Sequence, residues 1–206
     1  MHEPVAGREG ADLHSSRSMK ATYDDVLNAP ENKVAEILDG ELFLSPRPAP
    51  PHAVCAAGLM VRIGGPFDRG PGGPGGWWIL PEPELHLGEH VVVPDLAGWR
   101  RERMARVPKE PFFILPPDWV CEVPSPSTAR IDRSRKLRIY RESGVAYAWL
   151  VDPIQRTLEA LRSGETGWVI AAVLTGNEAV RIEPFDAVEL ELGALWPDVD
   201  EPSAVP

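Results

Sequence analysis

The chain of 206 residues carries a net charge of −10 at neutral pH, with 43% hydrophobic and 25% charged residues. This is the make-up of a globular domain with a real core, and it argues against a general nucleic-acid binder. No run of about eighteen apolar residues is present, so no membrane helix is expected; the polar start MHEPVAGREGADLHSSRS reads as the flexible tail of a cytoplasmic protein, not as a signal peptide.

Residues 1–18 and 197–206 read as loose tails around one folded domain, 19–196. Thr22 caps a short helix with Tyr23, Val26 and Leu27 that ends near Pro30. In VAEILDGELFLS, 34–45, two alternating runs flank Asp39-Gly40, a type I′ hairpin signal. PRPAPP, 46–51, is a stiff connector to a helix over 52–63, and GGPFDRGPGGPGG, 64–76, reads as a flexible loop. Strands are expected at 77–80, 84–87 and 91–97, a short exposed helix at 100–106, and a strand at 119–123. A basic helix starts at Pro126-Ser127-Thr128, with Ser127 or Thr128 as its cap, and stops at Gly144. Further strands follow at 145–151, 156–162, 168–174 and 186–192. The order predicts a mixed sheet flanked by helices, an α/β or α+β domain with an N-terminal hairpin. Cys55 and Cys121 lie in apolar runs without a CxxC pair and are expected as buried thiols.

Charge is unevenly placed. Eleven of the 21 Lys and Arg residues fall in two segments, Arg100, Arg101, Arg103, Arg106 and Lys109, and Arg130, Arg133, Arg135, Lys136, Arg138 and Arg141. An acidic protein can thus present a local basic surface.

Two acids sit where acids are costly. In a strand over 119–123, Glu122 shares a face with Val120 and points away from Trp119, Cys121 and Val123. Asp95 follows the apolar Val91-Val92-Val93-Pro94. On adjacent strands the two would form a hard, oxygen-rich site suited to magnesium or manganese. The plainer alternatives are a turn aspartate and a solvated strand-end glutamate. Lys136 lies on the following helix, four residues after Asp132. Its stretch is either a solvated face or brings one lysine back to the acids, where it could position a water and offset charge on a phosphate.

PDL at 94–96, PPDWVCEVPSPSTARIDRSRKLRIYRESGVAYAWLVDP at 116–153 and EILDGELFLSPRPAPPH at 36–52 together resemble the Uma-type family of bacterial endonucleases, placed in the PD-(D/E)XK restriction-endonuclease-like superfamily. The resemblance spans roughly residues 20–196. It implies a metal-dependent nuclease core in which Asp95 matches the PD aspartate and Glu122 the second acid. The lysine usually found two residues after that acid falls on Pro124, and Lys136 fits the family's helix-borne position instead. Glu36 and His52 match further family positions. Glu36 could complete a metal shell; His52 could contact phosphate or move a proton, or be a polar helix start. The Gly- and Pro-rich insertion at 64–76 and Pro124 depart from the pattern.

The expected function is a Mg²⁺- or Mn²⁺-dependent DNA endonuclease. Asp95 and Glu122 are its expected metal ligands and Lys136, Glu36 and His52 the other site residues. Arg130, Arg133 and Arg135, or the 100–109 segment, are expected on backbone phosphates, and a homodimer is a natural assembly. Trp77, Trp78 and Trp99 fit either a dimer interface or the core. The alternative is a non-catalytic binding or regulatory module that kept the fold. No GxxxxGK[ST], HExxH or GxSxG occurs, which argues against other hydrolytic classes.

Overall fold

The structure, a computed structural model, describes residues 19–125 and 127–198. The tail expected at 1–18, Pro126 at the expected helix start, and 199–206 of the second tail lie outside the described residues.

Helix α1, Tyr23–Leu27, is capped by Thr22 and Asp25. Strands β1, Lys33–Leu38, and β2, Glu41–Pro46, form the expected hairpin. Its turn residues Asp39 and Gly40 have φ of 56° and 77°, the positive pair that a type I′ turn needs. Helix α2, Pro50–Ile63, opens with two prolines, which suit the first helical turn because its N–H groups lack partners anyway. It does not yield at once to a loop, and the loop expected at 64–76 is confined to 70–76. A π-helical segment, Gly64–Arg69, carries the helix on and buries Phe67 against Phe185.

The strand expected over 91–97 is two strands. β5, His90–Val92, belongs to a small antiparallel sheet of order β2-β1-β5-β4, in which β4 is Leu85–Leu87. β6, Leu96–Arg100, belongs to a large sheet. Pro94, which has no N–H to give to a ladder, sits where the chain changes sheets. The large sheet has the order β10-β9-β8-β7-β6-β3. Its other members are β3, Trp77–Pro81; β7, Trp119–Glu122; β8, Tyr147–Asp152; β9, Thr157–Ser163; and β10, Trp168–Thr175.

β7 and β8 are parallel and joined by helix α3. This helix comprises α-helical Ala129–Ile131, π-helical Asp132–Lys136 and α-helical Leu137–Glu142. Gly144, at φ 90°, ends it: Val145 N–H reaches Tyr140 O while Gly144 N–H reaches Arg141 O, the two bonds of a Schellman stop. No helix forms at 100–106. Arg101 stacks over Trp78 and pairs with Asp68, Arg103 pairs with Asp118, and Met104 is buried, so local contacts hold these residues in a turn. The last expected strand shrinks to β12, Leu190–Glu191, paired with β11, Ala179–Val180. Among the described residues no helix is long and apolar enough to cross a membrane.

The strand alternation of β7 sorts its side chains as expected. Trp119 and Cys121 join the core beneath α2 with Cys55, Leu59 and Trp149. Val120 joins a second core with Leu137, Ile139 and Tyr140 of α3 and with Leu38, Leu85 and Val92 of the small sheet. Both cysteines are buried thiols, and burial pushes Cys55 up to about 12. Trp77 and Trp99 are core residues, and Trp78 bonds Met104 O from a half-buried position.

Gly98, mid-strand in β6, pairs with Ile79 on one side and Trp119 on the other. A Cβ there would lie 3.0 Å from Ile79 Cδ1 and 3.2 Å from the rings of both Trp77 and Trp119. Gly98→Ala should therefore overpack the core and lower stability by about 1–3 kcal/mol. Urea denaturation reads this as a lower midpoint at unchanged slope; an unchanged midpoint would show that the indoles give way freely.

Candidate active site

The chain passes between the two sheets twice at the same level, from β3 to β4 and from β5 to β6. The passages are tied together, because Glu82 N–H donates to Asp95 O at 3.0 Å. Glu82 takes a left-handed φ of 44° there, between Pro81 and Pro83. Beside this crossing, at the C-terminal end of β7, opens a cavity of about 320 Å³. Glu36, His52, Asp95, Glu122, Asp132 and Lys136 line it, with Arg47, Glu82, Ser125, Ser127 and Thr128 also in its wall.

Each functional side chain is fixed by its element. Glu36 is buried on β1 and accepts Val93 N–H at 2.8 Å, a donor released where β5 ends. Asp95 accepts Val123 N–H at 2.6 Å with one oxygen and contacts His52 Nε2 at 2.6 Å with the other. His52 stands in the first turn of α2. Leu96 pairs with Cys121, so Asp95 and Glu122 end up at neighbouring ends of antiparallel β6 and β7.

Lys136 is 3% exposed. Its ammonium lies 2.9 and 3.0 Å from the two oxygens of Glu122, 3.1 Å from Glu36 Oε1, 3.1 Å from Val93 O and 3.8 Å from Asp132 Oδ1. Tyr140 O–H also donates to Glu122 Oε1. Asp132, Lys136 and Tyr140 are spaced by four and share the inner face of α3, at and just after its π-helical segment, a device common at functional sites.

Three carboxyl groups, those of Glu122, Glu36 and Asp132, thus surround one lysine. Burial pushes the Glu122 carboxyl well above its usual range, with Lys136 opposing, and raises Asp132 likewise. Burial would lower Lys136, but Glu122, Glu36, Tyr140 and Asp132 outweigh it and hold the ammonium well above its ordinary value. Burial, then the charge of Glu122, pushes the Tyr140 hydroxyl up.

The structure brings Glu36, His52, Asp95, Glu122 and Lys136 together. It does not bring the three arginines with them. Arg133 pairs with Glu159 on β9, Arg135 pairs with Glu41 and covers Phe43, and Arg130 is exposed near the start of α3. Reasoning from sequence left out Asp132 and Tyr140 as site members. Their signal was the spacing of four about Lys136, which puts all three on one helical face.

Among the described residues no three His, Cys, Asp or Glu side chains stand as a ready metal cage. The oxygens of Asp95 and Glu122 are taken up by internal donors. The donor chemistry nonetheless fits a hard divalent ion: carboxylate oxygens on neighbouring strand ends, with acids outnumbering the buried cation. Such an ion at Glu122 would exchange with Lys136, and at Asp95 with His52.

A carboxyl that binds its proton more tightly when folded stabilises the fold below its unfolded pKa, and this contribution is lost as pH rises through the raised folded value. Glu122 and Asp132 are both of this kind. In chelator, the melting temperature should fall as pH rises from the ordinary carboxylate range, about 4, toward neutrality, and Asp132→Asn should flatten part of that fall. Identical profiles for both proteins would show that Asp132 does not carry the strain.

Comparison with known proteins gives three findings. The Uma2 family model, described as "Putative restriction endonuclease", matches residues 21–193. A search of curated proteins found no match. Among solved structures, the chain is similar to the crystal structure of a "putative nuclease belonging to DUF820" from Anabaena variabilis ATCC 29413, at 21% identity and a TM-score of 0.69, over 85% of this chain and 97% of that one. At that identity the likeness speaks for the fold, a mixed sheet flanked by helices.

Proposed function

The chain belongs to the Uma2 family, and from that premise we propose that it is a divalent-metal-dependent endonuclease hydrolysing phosphodiester bonds in DNA in the cytoplasm. The observation that carries this reading is the convergence of Asp95, Glu122 and Lys136 in one cavity, with the ammonium on both oxygens of Glu122.

Asp95 and Glu122 would hold the ion, with Glu36 close enough to support the same shell. A bound Mg²⁺ or Mn²⁺ supplies Lewis acidity toward a phosphoryl oxygen and lowers the pKa of a water. Lys136 offsets the charge that grows on the phosphate and helps orient the attacking water. His52, whose ring Asp95 orients, serves proton transfer. Arg130, exposed and without an ion-pair partner among the described residues, would meet a backbone phosphate; Arg133 and Arg135 would first have to leave Glu159 and Glu41. Cutting both strands of a duplex calls for two such centres, which a homodimer supplies.

The test is nicking of supercoiled plasmid with Mg²⁺ or Mn²⁺ by the wild type, Asp95→Asn and Lys136→Met, each checked for a folded melting transition. Nicking should need the metal and fall by about 10²-fold or more in both variants. Nicking that persists in both would place the activity elsewhere. A folded wild type that never nicks would favour a binding module that kept the nuclease fold.

A further inference from the structure

The crowding around Lys136 has a consequence for how an ion could enter. In the structure the ammonium is the cation of the oxygen cluster, bonded to Glu122 through both carboxylate oxygens. An ion bound through Glu122 must take over at least one of those oxygens. The lysine is 3% exposed, so it cannot swing into water in compensation, and an unpaired buried ammonium is very costly. It keeps Glu36 Oε1 and Val93 O, each at 3.1 Å, and needs a further acceptor to replace the oxygen given up.

Asp132 has the geometry for that acceptor. It is 4% exposed, lies one helical turn before Lys136 on the same face of α3, and holds an oxygen 3.8 Å from the ammonium. That is ion-pair distance, yet longer than the bonds to Glu122, Glu36 and Val93 O. The ammonium therefore has room to move toward Asp132 when Glu122 lets go. Glu36 is no replacement, because its Oε1 already meets the ammonium at 3.1 Å and is held in place by Val93 N–H.

We propose that Asp132 is a positioning residue that draws the Lys136 ammonium off Glu122 and retains it beside the site when a divalent ion binds. This rests on the metal-dependent reading above. It makes Asp132 a residue that acts through Lys136, touching neither the ion nor the substrate.

The test is Mn²⁺ affinity by titration calorimetry, with nicking measured separately. Asp132→Asn should weaken Mn²⁺ binding by about 10-fold or more, and Asp132→Glu, which keeps a carboxylate within reach, should recover most of it. In a Lys136→Met background the same Asn substitution should cost less than about threefold, because no ammonium is left to compete. An equal loss in both backgrounds would mean that Asp132 acts on the ion directly and would overturn the proposal, as would no loss in the first or no Mn²⁺ binding by the wild type. Should Lys136→Met fail to fold, the ¹⁵N-edited signal of the Lys136 ammonium decides the matter. With Mg²⁺ it should stay protected from exchange in the wild type and be lost in Asp132→Asn; protection in both would overturn the proposal. Mn²⁺ binding with the predicted coupling but without nicking would remove the nuclease reading and leave this one standing.

Discussion

One buried ammonium organises this molecule. Lys136 of α3 meets Glu36 from the hairpin, Val93 O from the crossing between sheets, Glu122 from the large sheet and Asp132 from its own helix. A charge removed from water is tolerated only when its donors are matched by acceptors, and here every proton of the ammonium has an oxygen to meet. Such a cluster is poor value as stabilisation, since an apolar plug of the same volume commonly serves a fold as well or better. That the interior holds it points to a chemical use for the excess of acid around it.

The backbone prepares the place. Where β5 and β6 part company, the N–H and C=O of Val93 are taken by the side chains of Glu36 and Lys136, while Asp95 O accepts the Glu82 N–H. Proline at 94 makes this parting local by denying the ladder a donor. The polar site therefore fills a gap that the topology itself creates at the end of a strand, much as ligand sites form beyond strand ends in other open sheets.

Much of this was written in the sequence, for reasons that differ residue by residue. The hairpin was legible because Asp39-Gly40 is a local conformational demand. The faces of β7 were legible because strand alternation is local too. The split of 91–97 was not, since an apolar run with one proline reads alike for one strand or two, and only pairing partners far along the chain decide. The turn at 100–106 escaped for the same reason: Asp68 and Asp118, both distant in sequence, draw Arg101 and Arg103 away from a helix. In the site, the convergence of the acids and Lys136 was suggested by resemblance more than by any local pattern. The engagement of Arg133 and Arg135 with Glu159 and Glu41 is purely tertiary and left no trace in the order of residues.

The tie from Glu36 to both Val93 and Lys136 also sets the site's tolerance of motion. The hairpin lies at one side of the small sheet, with β2 as its outer strand, and outer strands are commonly among the first parts of a fold to open. An opening that carried β1 away with β2 would strip Glu36 from the ammonium while leaving the strand pairing of the six-stranded sheet intact. In such an opened state the large sheet would keep its pairing while the buried lysine had lost one of its acids, so the polar centre would give way before the fold that houses it.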